Sequence, residues 1–456
     1  MRQSAFTILT HVKAEVVADL ERLLTEIGDD IDENPHLRFA DLDNLHYASL
    51  FVVADGASDP YLVFEGNIDG RPREFLDMLL ERARGGVDKI YRHCVDYPVA
   101  GAQDRAVVLD YLEAHDIGAN TFYVAWPGWT VDDICKEQAL RDHIERFIDD
   151  QEGADLRQRL PQDIRQRIAD YVHGEATMAW ARTARSRPFL VKNGKTLLRL
   201  CLAPPALGVL WVLKAARSGA STRRRRFLGR AILVSILGLA GSTVRQLRKE
   251  EIEDERRDRL RVPDWQTTYA RWTEEEELPG IVRREDVKVQ NHMVSVTRIK
   301  EGRFRLQALR LVLWAINLIA RLTANKGSLG GISSIHFARW VITPDDKTLL
   351  FMSNFDGSWE RYLNDFIDLA AEGLTAVWTN TDNAVGFPRT KWLVTAGARD
   401  EARFKAYARF SMVPTHTWYS AYPGLTVSNI DNNMRIRQDL FASLDPAAAE
   451  AWLRRF

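Results

Sequence analysis

The sequence predicts an α+β fold in which one module occurs twice, near each end, with a helical apolar segment between the copies. Three observations carry this expectation. First, Gly101 to Ile134 aligns with Gly397 to Ile430 without a gap. Gly101, Ala102, Asp104, Ala106, Tyr111, Thr121, Tyr123, Ala125, Pro127, Gly128, Thr130, Val131 and Ile134 recur as Gly397, Ala398, Asp400, Ala402, Tyr407, Thr417, Tyr419, Ala421, Pro423, Gly424, Thr426, Val427 and Ile430. That density of identities is several times what average composition gives by chance. Second, islands upstream keep the same order: Thr10 and Lys13 with Thr297 and Lys300, His46 and Ala48 with His336 and Ala338, and Phe64, Asn67, Asp69 and Gly70 with Phe351, Asn354, Asp356 and Gly357. Third, residues 151–287 have no counterpart in either copy. The expected units are 1–150, 151–287 and 288–456, and a chain of 456 residues is long enough for two or three.

Each island falls on a recognisable element. Ala5 to Val12 and Met293 to Ile299 are β-rich runs leading into helical patterns, the first being Ala14 to Ile27 with its stripe of Val16, Val17, Leu20, Leu23, Leu24 and Ile27. A strand pair follows in each copy, Tyr47 to Ala54 with Tyr61 to Ile68, and Phe337 to Thr343 with Thr348 to Phe355. Long helices are expected over Glu74 to His93 and Glu360 to Trp378. Shorter helices then lead to aromatic strands, Thr121 to Trp126 and Thr417 to Tyr422, each ending at Pro-Gly. Lys391 to Ala396 also reads as a strand. The β-α-β-β-α order followed by a further strand is the ferredoxin-like plan. Two such units in one chain resemble the dimeric α+β barrel superfamily, in which two sheets meet face to face and helices cover the outside. The resemblance implies a pseudo-dimeric barrel of two tandem ferredoxin-like repeats.

The segment between the copies contains two uncharged apolar stretches, Leu200 to Leu213 and Ala231 to Val244, parted by Lys214, Arg217 and the run Arg223 to Arg226. Each is shorter than the roughly 20 residues a spanning helix needs. Basic residues flank both stretches and separate them, which places all three regions on one side of a bilayer. The pattern predicts a monotopic hairpin, broken early by Pro204 and Pro205, with its arginines on anionic headgroups. Burial of the pair in a water-soluble core is the alternative. The helix Leu306 to Leu322 supports lipid contact, because Leu309, Leu311, Val312, Leu313, Trp314, Ile316, Leu318 and Ile319 cover most of its circumference. From Arg248 to Arg261 acids and bases alternate, which reads as a solvated helix and connector.

Net charge of −1 gives no global attraction to nucleic acid, and no aromatic platform accompanies the arginine run, so a nucleic-acid role is not expected. Cys94, Cys135 and Cys201 match no metal or redox spacing. No secretory pattern opens the chain, and the expected location is the cytoplasmic face of a membrane. Phosphate loops, zinc-protease helices and nucleophile elbows are missing from the sequence.

The most suggestive short motif is Gly66-Asn67-Ile68-Asp69-Gly70, which returns as Ser353-Asn354-Phe355-Asp356-Gly357. It resembles the Gly-x-x-Asp-Gly motif of dye-decolorizing peroxidases, haem enzymes of the same superfamily. That resemblance implies a distal acid at Asp69, with Asp356 its counterpart, and haem as a possible cofactor. A haem site also needs an axial ligand and a distal cation. The candidates are His46, His336 and His416 for the ligand and Arg339 for the cation. The same Asn-x-Asp-Gly residues also suit a tight turn and a helix cap. His416 occurs in one copy only, where Asn120 stands in the other, as a single site on a duplicated scaffold would show. Two functions are thus expected to compete. One is a membrane-attached protein holding an apolar ligand, with peroxidase-like oxidation of a lipid or hydrophobic compound; the other is a non-catalytic scaffold for a partner enzyme.

Overall fold

The computed structural model describes residues 2–54, 59–99, 104–150, 159–183, 223–260, 265–274, 281–282, 285–323 and 327–456. In chain order the first half supplies β1 (Gln3–His11), α1 (Val17–Asp29), β2 (Leu45–Val53), β3 (Tyr61–Asp69), α2 (Pro72–Tyr91), α3 (Arg105–Ala114), β4 (Thr121–Val124) and α4 (Val131–Asp150). Between the halves lie α5 (Pro161–Gly174), α6 (Arg223–Leu260) and α7 (Trp265–Glu274). The second half supplies β5 (Gln290–Ile299), α8 (Arg303–Thr323), β6 (Ile335–Ile342), β7 (Thr348–Asp356), α9 (Trp359–Trp378), β8 (Thr381–Asp382), β9 (Thr390–Lys391), β10 (Thr395–Ala396), α10 (Glu401–Phe410), β11 (Thr417–Ser420), α11 (Val427–Leu440) and α12 (Pro446–Leu453).

The fold is α+β with antiparallel sheets, one of them curled into a half-barrel. The first sheet runs β1-β3-β2-β11 and the second β4-β6-β7-β5-β8. Each half therefore gives its short aromatic strand to the other half's sheet. Thr417 to Ser420 pair with Leu50 to Tyr47, and Thr121 to Val124 pair with Trp340 to Phe337. Thr121 Oγ1 donates to Leu313 O at 2.7 Å and Thr417 Oγ1 to Leu24 O at 2.6 Å, so each guest strand is also tied to a helix of its host. The expected strand Lys391 to Ala396 is a two-residue hairpin of β9 and β10, outside both sheets.

Apolar side chains fill the space where the two sheets meet: Leu9, Phe51, Val53 and Val63 pack with Val294, Val341, Leu350 and Met352. The outer faces carry larger cores under α1 and α2 on one side and under α8, α9 and α10 on the other. The long helices α2 and α9 bend at aligned residues, Ala83 and Ala370, whose φ values of −137° and −136° leave the helical range. A separate helical layer joins α4, α5, α11 and α12 through Leu140, Ile144, Ile168, Val172, Leu440 and Trp452. Thus α5, which lies in the segment between the copies, is fastened to the C-terminal helices, and Arg165 donates to Leu440 O at 2.7 Å.

Helix α6 is 38 residues long and so spans about 57 Å at 1.5 Å per residue. The apolar stretch Ala231 to Val244 and the arginine run Arg223 to Arg226 both lie in it, whereas Leu200 to Leu213, and so the proposed hairpin turn, lies outside the described residues. Among the described residues no helix is long and apolar enough to cross a membrane. The charged part of α6 is docked rather than solvated. Glu250 and Asp254 each lie 2.8 Å from the buried Arg305 of α8, Asp254 also lies 2.9 Å from Lys300, and Asp258 binds Arg403. Glu251, buried, accepts from Leu393 N. Just upstream, Gly241 to Arg245 are exposed.

Candidate functional site

The motif aspartates hold helix starts. Asp69 Oδ2 accepts from Val131 N, the first residue of α4, at 2.9 Å, and Asp356 Oδ2 accepts from Val427 N, the first of α11, at 2.7 Å. A carboxylate there satisfies an orphan donor and meets the positive end of the helix dipole. Gly70 and Gly357 have φ of 101° and 79°, which only glycine adopts without strain, and so turn the chain out of β3 and β7. Gly66 has a different reason to be glycine: a Cβ would enter the ring of Phe6. In the other half Met293 aligns with Phe6, and Ser353 fits in place of Gly66, its hydroxyl taking a 2.7 Å hydrogen bond from Tyr362.

His46 and His336 are the extra residues of two aligned β-bulges, a device that re-aims a side chain. His46 Nε2 lies 3.2 Å from Asp69 Oδ1 and its Nδ1 lies 2.9 Å from Tyr422 Oη. His336 Nε2 is 2.6 Å from Asp356 Oδ1. Their carbonyls accept from Ala421 N and Ala125 N, so each bulge also fixes the end of a guest strand. Gln3 and Gln290 complete the arrangement by binding the two Pro-Gly turns, through Trp126 O and Trp129 O on one side and Tyr422 O and Leu425 O on the other. Tyr47 and Tyr422 stand among these groups, and burial pushes both phenols well above the usual range.

This cluster brings together His46 with Asp69 and His336 with Asp356, around one cavity of about 10 Å³ that both histidines line. Such a space is at the limit for a single water. The residues do not fit a haem there: both nitrogens of His46 and Nε2 of His336 face protein groups, and the cavity they line, about 10 Å³, is far too small for the macrocycle. Among the described residues no group of three or more His, Cys, Asp or Glu is arranged for a metal ion.

Arg339 and His416 are elsewhere. Arg339 projects from β6 into the interior between the sheets, where its guanidinium lies 2.7 Å from Glu65 Oε2 and donates to Phe6 O, Thr7 Oγ1, Gly66 O and Asn67 Oδ1. On the other side of Glu65, Ser49 Oγ donates to Oε1 at 2.9 Å and His292 Nε2 lies 3.3 Å from the same oxygen. His292 Nδ1 is 3.0 Å from Thr415 Oγ1. Both His292 and Thr415 line a groove of about 330 Å³, together with His416, Trp418, Glu285 and Lys288. That volume suits a small ligand. Gly28, at the end of α1, lets the helix approach the carbonyl of His416 closely enough that no Cβ would fit, which shapes one wall.

The electrostatics run in one direction along this chain of groups. Burial alone would raise the Glu65 carboxyl, but Arg339, His292 and Ser49 outweigh it, and the net effect is a lowered pKa. Glu65 is therefore a carboxylate. A carboxylate facing Nε2 favours the tautomer protonated on that nitrogen, which leaves Nδ1 to accept from the Thr415 hydroxyl. At the rim, burial raises Glu285 although Arg409 is bonded to it, and that guanidinium stacks 3.7 Å over the Trp359 ring.

Glu65, His292 and Thr415 were not among the residues expected from sequence. The signal that marks them is difference between the copies. Under the alignment they correspond to Met352, Ala5 and Ala119, while Arg339 corresponds to Ser49. The residues that recur, Gln3, His46, Asp69 and Thr121 with their partners, all fasten strands and turns. Compared with known proteins, the chain matches no family model, no curated protein and no solved structure.

Proposed function

We propose that the protein is a pseudo-dimeric α+β barrel of two tandem ferredoxin-like repeats that attaches to an anionic lipid surface and holds a small ligand in the groove beside His292 and His416. The reciprocal exchange of β4 and β11 supports the pseudo-dimeric reading, because each sheet is completed only by the other repeat. The observation that carries the lipid reading is the outer face of α8. Leu311 and Trp314 are 64% and 60% exposed and Ile319 is 47% exposed, one helical face beside the exposed Arg303, Arg310 and Arg321. Water gains nothing from such a face, whereas a bilayer interface accepts the apolar side chains and its phosphates accept the arginines. Helix α6 adds a second contact of the same kind, since its arginine run precedes an apolar stretch and its far end is clamped to Arg305 at the start of α8.

Co-sedimentation with vesicles tests this. The protein should pellet with vesicles containing phosphatidylserine and much less with pure phosphatidylcholine. Replacing Leu311 and Trp314 by Glu should weaken binding at least tenfold without changing the circular dichroism spectrum. Equal sedimentation of the double variant, or none of the wild type, would overturn the lipid reading.

A further inference from the structure

We propose that the groove is an acyl-transfer site, with Thr415 as nucleophile, His292 as general base and Glu65 as the carboxylate that orients the imidazole, acting on esters of small apolar acids. The geometry is that of a hydroxyl, an imidazole and a carboxylate in series: 3.0 Å from Thr415 Oγ1 to His292 Nδ1 and 3.3 Å from His292 Nε2 to Glu65 Oε1. The His292–Glu65 contact is an ion-pair approach without hydrogen-bond alignment, and apo contacts of this kind commonly tighten with substrate. Glu65 is fully buried, the His292 side chain is 2% exposed, and Thr415, half-buried, stands between that imidazole and the groove.

Fold stability does not explain the trio. The other half reaches the same architecture with Met352, Ala5 and Ala119 at the aligned positions, and there Met352 and Ala119 belong to the apolar packing between the sheets. Glu65 in turn carries its own support, Arg339 and Ser49, which hold it ionised and in place. A buried charge with two dedicated partners, a histidine and a groove hydroxyl is a costly set to assemble unless it positions a proton.

In the reaction, Thr415 Oγ1 bonds to the ester carbonyl carbon as its proton passes to His292 Nδ1, and the imidazolium forms against the Glu65 carboxylate. Collapse of the tetrahedral intermediate breaks the carbon–oxygen bond to the alcohol, which leaves with the proton from Nδ1. Water, deprotonated by the same nitrogen, then attacks the threonyl ester; its carbon–oxygen bond to Thr415 breaks, the acid is released, and the Nδ1 proton returns to Thr415 Oγ1. Met412, Val413 and Trp418 give the groove apolar walls for the acyl group, and Lys288 lines the same groove.

The test uses p-nitrophenyl butyrate and a fluorophosphonate probe on the full-length protein. Wild type should hydrolyse the ester and carry the probe on Thr415 by peptide mapping. Thr415→Val, nearly isosteric, should lower kcat/KM by about 10³-fold or more and abolish labelling, while Thr415→Ser should retain both. Both variants should keep the wild-type melting temperature within a few degrees, which separates chemistry from folding. Wild-type hydrolysis no faster than buffer, labelling at another residue, or Thr415→Val within threefold of wild type would each overturn the proposal. Vesicle binding is read independently, so a negative result here leaves the lipid reading standing.

Discussion

Arg339 and Glu65 enter the interior from opposite sheets and meet at 2.7 Å, each almost wholly removed from water. Neither has a charged counterpart at the aligned position of the other half, where Ser49 and Met352 stand.

Removing one partner strands the other. Arg339→Met should destabilise the protein by about 3–5 kcal/mol, because Glu65 is left as a buried uncompensated charge. The double variant Arg339→Met, Glu65→Met should recover most of that loss, since Met352 already packs at the aligned site. Urea denaturation of the four proteins checks the cycle, and additive single effects would contradict it.

The same pair sets part of the acid limit. With its folded pKa lowered by Arg339, His292 and Ser49 against the opposing effect of burial, Glu65 binds a proton less readily folded than unfolded. Its contribution is fully present above the unfolded value, about 4.3, and is lost as pH falls through the lower folded value. Melting temperature should therefore drop more steeply below about pH 4.5 in wild type than in the double variant. Parallel curves would show that Glu65 is not the group responsible.

Gly66 is expected to matter through Phe6 rather than through chemistry. Gly66→Ser should cost about 1–3 kcal/mol by overpacking against the ring, and adding Phe6→Met, the pairing used by Ser353 and Met293, should restore most of it. Differential scanning calorimetry of the single and double variants decides the matter, because a catalytic glycine would gain nothing from the second change.

Thiol reactivity should separate two of the cysteines. Burial pushes the Cys94 thiol up to about 11, and Thr10 Oγ1 sits 3.2 Å from its sulfur, whereas Cys135 is exposed. Burial and Asp132 raise the Cys135 thiol as well, but access decides the order: at pH 8 iodoacetamide should modify Cys135 well before Cys94, which should react only after urea is added, as followed by peptide mass spectrometry. Rapid native labelling of Cys94 would mean that the β1–α2 packing opens readily.

The order of strands and helices was legible because periodicity reports local structure directly: β1, α1, β2, β3 and α2 lie where the alternation and the apolar stripes place them. Partner choice was not legible. Thr121 to Val124 reads as a strand whichever sheet receives it, so its transfer to Trp340 and its neighbours left no local trace. The alternating charges of α6 look the same whether they face water or Arg305 and Arg403. Asp69 and His46 were visible as repeated residues, but repetition marked the joints of the scaffold. Glu65, His292 and Thr415 come together only in three dimensions, and each alone is an unremarked residue in a strand or loop.

The traded strands also bear on how the chain reaches its final state. The first half cannot close its sheet until β11 has been made, so the edge beside β2 stays open while more than half of the polypeptide is still to emerge, and β4 stays without its host until β6 is made. A second newborn molecule could offer the same short aromatic segment to that edge, giving tangled pairs in place of a self-sufficient monomer. The number of residues between the two ends thus sets a race: the sooner the C-terminal strand returns to β2, the less time a stranger has to take its place.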